Sequence, residues 1–136
     1  MRRLFLAVVL LVLLAGCGKD KGESATANMT CPAAAQPLSG ATNLPAQFPT
    51  PSGVVVTESN TAGPSTIVKG YADKKLGDVF DAYKSALDKA PYSVTKSEHD
   101  AHDAEVSFKG ESTTGQVRLG ELCKGRTSVQ ITARPQ

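Results

Sequence analysis

The chain of 136 residues is long enough for one folded domain and too short for two well-buried cores. It carries 15 Lys and Arg against 13 Asp and Glu, with three Tyr, four Phe and no Trp. This near balance, without a basic stretch interleaved with aromatic residues, argues against nucleic-acid binding. We therefore expect no nucleic acid among the partners of this protein.

The N-terminus has the layout of an export signal. Arg2 and Arg3 precede an unbroken apolar run over residues 4–15. As a helix this run would be about 18 Å long, which is too short for a bilayer core of about 30 Å. Small residues then lead to one cysteine in the order Leu14-Ala15-Gly16-Cys17. This segment resembles the lipobox of bacterial lipoproteins, which implies cleavage after residue 16 and a diacylglyceryl group on Cys17.

The resemblance divides the chain into three regions. We expect a lipoprotein signal peptide over 1–16, a lipid-anchored flexible tether over 17–45 and a small domain over 46–136. Cleavage removes two arginines, so 13 Lys and Arg would face 13 Asp and Glu in the mature chain. The alternative is an ordinary cleaved signal peptide in which Cys17 is incidental.

Lipidation would place the protein on the exported side of a membrane. Two acyl chains anchor a protein stably where a single chain does not. Gly18 follows the cysteine, whereas an Asp there would resemble an inner-membrane retention signal. We therefore expect the periplasmic face of the outer membrane in a two-membrane bacterium, and the extracellular face of the cell membrane otherwise.

Two further cysteines, Cys31 and Cys123, remain once Cys17 is assigned to lipid. An oxidising exported compartment favours a disulfide between them. Closing a loop of about 90 residues would stabilise the fold by about 4 to 5 kcal/mol in the chain-entropy model. The alternative is a pair of free thiols, with metal binding as one use for them.

The domain begins with a predicted hairpin and a helix. Residues 54–58 and 66–71 are typical of strands, and residues 59–64 of the turn between them. Apolar residues then recur at helical spacing and predict one amphipathic helix of about 14 to 16 residues, with Asp73 as the candidate cap and Pro91 after its end. The apolar positions are Leu76, Val79, Phe80, Tyr83 and Leu87.

Four more strands are predicted by alternation, over residues 92–96, 104–109, 116–119 and 127–134. A bulge at Gly120 would turn Leu122 inward. The order ββαββββ predicts an α+β fold, in which one twisted antiparallel sheet carries the helix on one face. The predicted apolar face comprises Val106, Phe108, Val117, Leu119, Val129, Ile131 and Ala133, and the predicted polar face comprises Ser107, Arg118, Ser128, Gln130, Thr132 and Arg134.

A second resemblance rests on the segment Phe48-Pro49-Thr50-Pro51-Ser52-Gly53 and on the later run from Val79 to Leu87. Together they resemble small domains of bacterial envelope lipoproteins, in which a "(F/Y)P-x-P-x-G" turn and a helix face precede a sheet. The resemblance covers about two-thirds of the mature chain. It implies the fold and an envelope location and supplies no molecular activity.

Two groups of residues are candidate sites. His99 and His102 lie in an acidic stretch, and imidazole with carboxylate side chains can bind Zn²⁺; the other interpretation is a solvated turn between strands. Arg118, Gln130 and Arg134 on the predicted polar face could bind an acidic partner, or that face could simply be solvated.

The sequence contains no nucleophile in a Gly-x-Ser-x-Gly setting and no phosphate-binding glycine loop. We therefore expect a protein that is not an enzyme and has no cofactor. The sequence predicts a membrane-anchored lipoprotein whose exported domain is a non-catalytic interaction module for an envelope protein or ligand. The alternatives are a metal- or small-molecule-binding lipoprotein that uses the His99/His102 loop, and a structural envelope-assembly factor.

Overall fold

A computed structural model describes residues 28–136; the predicted signal peptide, Cys17 and the first part of the predicted tether lie outside these residues. Six strands form one antiparallel sheet in the order β1-β2-β6-β5-β4-β3. The elements are β1 Val54–Ala62, β2 Ser65–Ala72, α1 Leu76–Lys89, β3 Tyr92–His99, β4 Asp103–Gly110, β5 Thr113–Cys123 and β6 Arg126–Pro135.

The predicted α+β class is wrong, because the domain is mostly β. Its described part has six strands of 8 to 11 residues and one helix of 14 residues. The strands run further than the sequence predicted: β1 continues to Ala62 where a turn was expected, and β3 continues to His99. Ladder hydrogen bonds need only the backbone, so the strands extend into polar residues beyond the apolar alternation.

The buried face of the sheet is the predicted apolar face. All seven predicted core positions on β4, β5 and β6 are buried, with Val106, Phe108 and Ile131 fully so. Phe108 packs above Gly115, where an added Cβ would lie 2.7 Å from the Cζ atom of Phe108 and would clash with the backbone carbonyl of Thr132. The prediction of a one-sided apolar core is therefore confirmed.

A β-bulge reverses one prediction near the end of β5. The register shifts between Glu121 and Cys123, so the extra residue is Leu122 and the bulge does not lie at Gly120. Leu122 is 42% exposed, whereas Cys123 is buried. The prediction that Leu122 turns inward is therefore wrong: Leu122 is the unpaired residue of the bulge, and Cys123 beyond it pairs with Arg126.

The helix covers β3, β4 and β5 with the apolar stripe that the sequence predicted. Leu76, Val79, Tyr83 and Leu87 are buried in it. The predicted cap is wrong: Lys75 occupies the N-cap position without a side-chain hydrogen bond. Asp73 instead accepts a 2.6 Å hydrogen bond from Nε of Arg126 on β6.

The segment before β1 completes the cover of the core. Phe48 is buried, and its ring lies 5.5 Å from the ring of Tyr92 and 5.0 Å from that of Phe108. Leu44 also packs against the core. Helix and segment thus bury one face of the sheet together, since a single short helix is too narrow to cover six strands.

Residues 38–44 follow the outer edge of β1. The amide of Leu38 donates to the carbonyl of Val56 over 2.8 Å, and Oγ of Ser59 donates to the carbonyl of Thr42. These bonds satisfy backbone groups at a sheet edge, which reduces the tendency of that edge to pair with another chain. This part of the predicted 17–45 tether therefore lies against the domain.

The hydroxyl of Tyr83 gives a stability prediction. It is buried, and no hydrogen-bond partner for its Oη atom occurs among residues 28–136. We expect Tyr83→Phe to raise the free energy of unfolding at neutral pH by about 1 kcal/mol, because the substitution removes the desolvation cost of the hydroxyl.

Burial also raises the pKa of Tyr83 above its usual value. The unfolded chain ionises this tyrosine from about pH 10 while the folded chain keeps it neutral. Wild-type stability should therefore fall as the pH rises above about 10, and it should fall less steeply in the Tyr83→Phe variant. Urea unfolding near neutrality and at alkaline pH measures both effects; a variant that is less stable at neutrality with the same alkaline slope would contradict them.

Candidate binding face

The sheet has a second face, which neither the helix nor the Phe48 segment covers. Side chains alternate across a strand, so the neighbours of the core residues point to this side. The three residues that the sequence proposed for binding lie on it. Arg118 on β5 is directly opposite Gln130 on β6, and Arg134 is opposite Thr114. We call this surface the outer face.

A row of polar side chains crosses four strands of the outer face. Ser107 on β4 pairs with Gln116 on β5, and Gln116 pairs with Thr132 on β6. Thr95, at the bulge of β3, extends the row toward the edge. These side chains, with Ser65, Thr114, Gly115 and Arg134, line a groove of about 370 Å³. Hydroxyl and amide groups give the groove both hydrogen-bond donors and acceptors.

The two arginines of the outer face have different electrostatic settings. Nε of Arg118 lies 3.1 Å from Oε2 of Glu105 on the neighbouring strand, so its charge is compensated within the sheet. Arg134 has no carboxylate within ion-pair distance in residues 28–136. Among the described residues that line the groove, Arg134 is the one that carries a charge. The groove therefore favours a ligand with a negative group.

The sequence identified the polar side of this groove only in part. Arg134 and Thr132 were visible from the alternation of β6. Thr95 was not, because it lies in a bulge between Val94 and Lys96 that shifts the register of β3. Alternation predicts a face only where the ladder is regular.

One margin of the outer face is covered by the chain that precedes the domain. The guanidinium of Arg126 lies 4.7 Å above the ring of Tyr71, and its Nη1 donates to the carbonyl of Pro32 over 3.0 Å. The hydroxyl of Tyr71 donates to the carbonyl of Ala35. The hydrogen bond to Asp73 raises the pKa of Arg126. These contacts hold residues 32–35 against the sheet near the start of β6.

The predicted cysteine partners lie at the same margin. Cys31 and Cys123 are joined in disulfide geometry, with their Cα atoms 5.1 Å apart and a separation of 92 positions in the chain. Next to this pair, the amide of Lys124 donates to the carbonyl of Met29 over 2.9 Å. The chain that leads toward Cys17 thus leaves the domain beside the β5–β6 turn.

The two histidines engage different partners. His99 is the last residue of β3, and its ring lies 5.2 Å from that of Phe80 on the helix. His102 lies in the following turn, where its Nδ1 is 2.6 Å from Oε2 of Glu121. In the part of the chain that the structure describes, no three His, Cys, Asp or Glu side chains are grouped to hold a metal ion.

Comparison with family models, curated proteins and solved structures gives no match for this chain. Within residues 28–136, no helix has the length and apolar character needed to cross a membrane.

Proposed function

We propose that this protein is a lipid-anchored bacterial envelope lipoprotein whose domain binds an acidic partner with the groove of the outer face. The lipobox resemblance at Cys17 supports the anchor, and the Cys31–Cys123 pair is the kind of crosslink found in exported proteins. The observation that carries the binding role is the uncompensated guanidinium of Arg134 beside a row of hydroxyl and amide groups.

The outer face is a better binding surface than the free edge of the sheet. Strand β3 forms that edge, and its bulge at Thr95 interrupts the ladder. Lys96 and Glu98 on the same strand form an exposed ion pair of 2.9 Å. Bulges and charged side chains are features that keep an edge from pairing with another strand. Binding by strand addition is therefore disfavoured at β3.

The chemistry of the groove specifies the ligand group. A guanidinium binds a carboxylate or phosphate with two parallel hydrogen bonds, and such charge-assisted bonds are stronger than neutral ones. The neighbouring hydroxyls of Ser65 and Thr132 can donate to the remaining oxygen atoms of that ligand, whereas the hydroxyl of Thr114 donates to the carbonyl of Phe108. No covalent step is needed for this role, and we assign the domain a non-catalytic function.

Substitution of Arg134 tests the binding role. The native lipidated protein and a soluble form without residues 1–17 serve as baits for detergent-solubilised envelope. We expect both baits to retain a common partner, and Arg134→Gln to reduce its retention about tenfold or more, since a charge-assisted hydrogen bond contributes about 1.5 to 3 kcal/mol.

Lys89→Gln is the matched control, because it removes one exposed positive charge from the helix on the opposite side of the sheet. It should leave partner retention unchanged. Equal retention by wild type, Lys89→Gln and Arg134→Gln would contradict the assignment of the groove.

A further inference from the structure

Exposed apolar residues gather at one end of the domain. Among residues 28–136, the large hydrophobic side chains that stay exposed are Met29, at 53%, and Leu122, at 42%. They are far apart in sequence but close in the fold, because Leu122 precedes Cys123 and the carbonyl of Met29 accepts from the amide of Lys124.

Two exposed lysines flank the same place. Lys75 and Lys124 line a cavity of about 430 Å³ between the start of the helix and the β5–β6 turn. Of the neighbouring carboxylates, Asp73 forms an ion pair with Arg126, and Glu121 contacts Nδ1 of His102. We call the surface formed by Met29, Lys75, Leu122 and Lys124 the anchor end. Apolar side chains bordered by lysines are typical of surfaces that rest on an anionic bilayer.

The sequence before Met29 connects the anchor end to the proposed lipid. Twelve positions separate Met29 from Cys17. A chain of that length spans at most about 43 Å even when it is fully extended. A lipid on Cys17 would therefore keep the anchor end, where the described chain begins, within that distance of the bilayer.

We infer that the anchor end seats on the surface of the bilayer that holds the lipid, with Met29 and Leu122 in the headgroup region and both lysines on anionic headgroups. This inference rests on the proposed lipidation of Cys17. The tether makes the contact intramolecular, so a patch too weak to bind vesicles alone is occupied once the chain is anchored. The β4–β5 turn then points away from the membrane.

Tryptophan fluorescence tests this orientation, because the chain has no Trp of its own. Leu122→Trp reports on the anchor end, and Glu111→Trp, in the β4–β5 turn, reports on the opposite end. Each native lipidated variant is reconstituted into phosphatidylcholine vesicles containing phosphatidylglycerol and brominated lipid. We expect brominated lipid to quench the Leu122→Trp variant roughly twofold or more relative to the Glu111→Trp variant, since tethering raises the effective concentration of the patch. Met29→Trp provides a second reporter if Leu122→Trp perturbs the fold.

The charge contribution is measured in the Leu122→Trp background. Adding Lys75→Glu and Lys124→Glu should reduce the quenching, and so should vesicles without phosphatidylglycerol. Equal quenching at the two ends, or none at either, would overturn the inference. A fluorescence shift of the soluble variant that grows with protein concentration, without vesicles, would instead assign the patch to a second copy of the chain.

A separate arm distinguishes this inference from the lipidation on which it rests. Unlipidated chain beginning at Cys17 is coupled through that thiol to a maleimide lipid, while Cys31 and Cys123 are paired. If the native protein carries no lipid, the proposed anchor fails, and the coupled protein still reports whether the anchor end contacts the bilayer. Quenching in the coupled protein supports the inference; its absence overturns it.

Discussion

Removing the crosslink between Cys31 and Cys123 should lower the free energy of unfolding by about 4 to 5 kcal/mol. The bond closes a loop of 92 residues, and the chain-entropy model assigns that constraint mainly to the unfolded state. A single small domain is stable by only about 5 to 15 kcal/mol, so this loss would take a large share of its stability. Cys31→Ser combined with Cys123→Ala removes the bond and keeps the buried position of residue 123 apolar.

Urea unfolding with and without a thiol reductant measures the effect. The reductant should shift the wild-type midpoint to that of the double variant and leave the double variant unchanged. The slope of the unfolding free energy against urea should rise without the crosslink, because the unfolded chain then exposes more surface. A wild-type midpoint that does not respond to complete reduction would show that the disulfide contributes nothing to stability.

Loss of the crosslink should also free the chain before the domain. Pro32 and Ala35 contact Arg126 and Tyr71 through backbone carbonyls, and Met29 contacts Lys124 in the same way. Each of these hydrogen bonds contributes only modestly to stability. The disulfide keeps the chain that makes them close to the sheet. The same variants thus test whether residues 29–35 stay against the domain without the crosslink.

Cys17→Ala should abolish lipidation completely and leave the precursor with residues 1–16 attached. In bacterial lipoproteins, which this N-terminus resembles, the lipid is added to a cysteine sulfur, which alanine lacks, and cleavage depends on that modified residue. Intact-mass measurement of the protein from membranes reports both changes. Ser24→Ala is the matched control, since it also removes one side-chain heteroatom outside the lipobox, leaves the Cys31–Cys123 bond in place and should still be lipidated and cleaved.

One result for Cys17→Ala would contradict the lipobox prediction. A mature variant whose mass differs from that of the wild type only by the Cys-to-Ala substitution would show that cleavage does not need the cysteine, and that the segment is an ordinary signal peptide. The binding groove around Arg134 would be unaffected by that result, because it lies on the outer face of the domain.

The sheet could be predicted wherever one face was apolar. Val117, Leu119, Val129 and Ile131 alternate with polar residues, and a one-residue slip would expose all of them, so the pattern fixes the face. The helix could also be predicted, from the spacing of its apolar residues. Strand ends were not, because residues such as Ser97 and Thr113 join the ladder through backbone bonds alone. That shortfall is why the class was predicted as α+β.

The remaining differences come from tertiary contacts that leave no local pattern. Asp73 is a residue type that often caps helices, but it pairs with Arg126, which is 53 residues away. Leu122 has an apolar side chain typical of the core, but it lies in a bulge. Residues 32–44 are polar and proline-rich without period, yet they contact the sheet through carbonyl groups. The groove could not be predicted, because its position depends on the register of four strands and no single segment determines that register.

We propose that lipid on Cys17 holds this domain at a membrane, and the N-terminal peptide of the native protein shows whether that lipid is present. Mass spectrometry of the protein isolated from membranes should give a mature N-terminus at Cys17 that carries a diacylglyceryl group. An unmodified N-terminus, or a mature chain that begins at another residue, would contradict the claim.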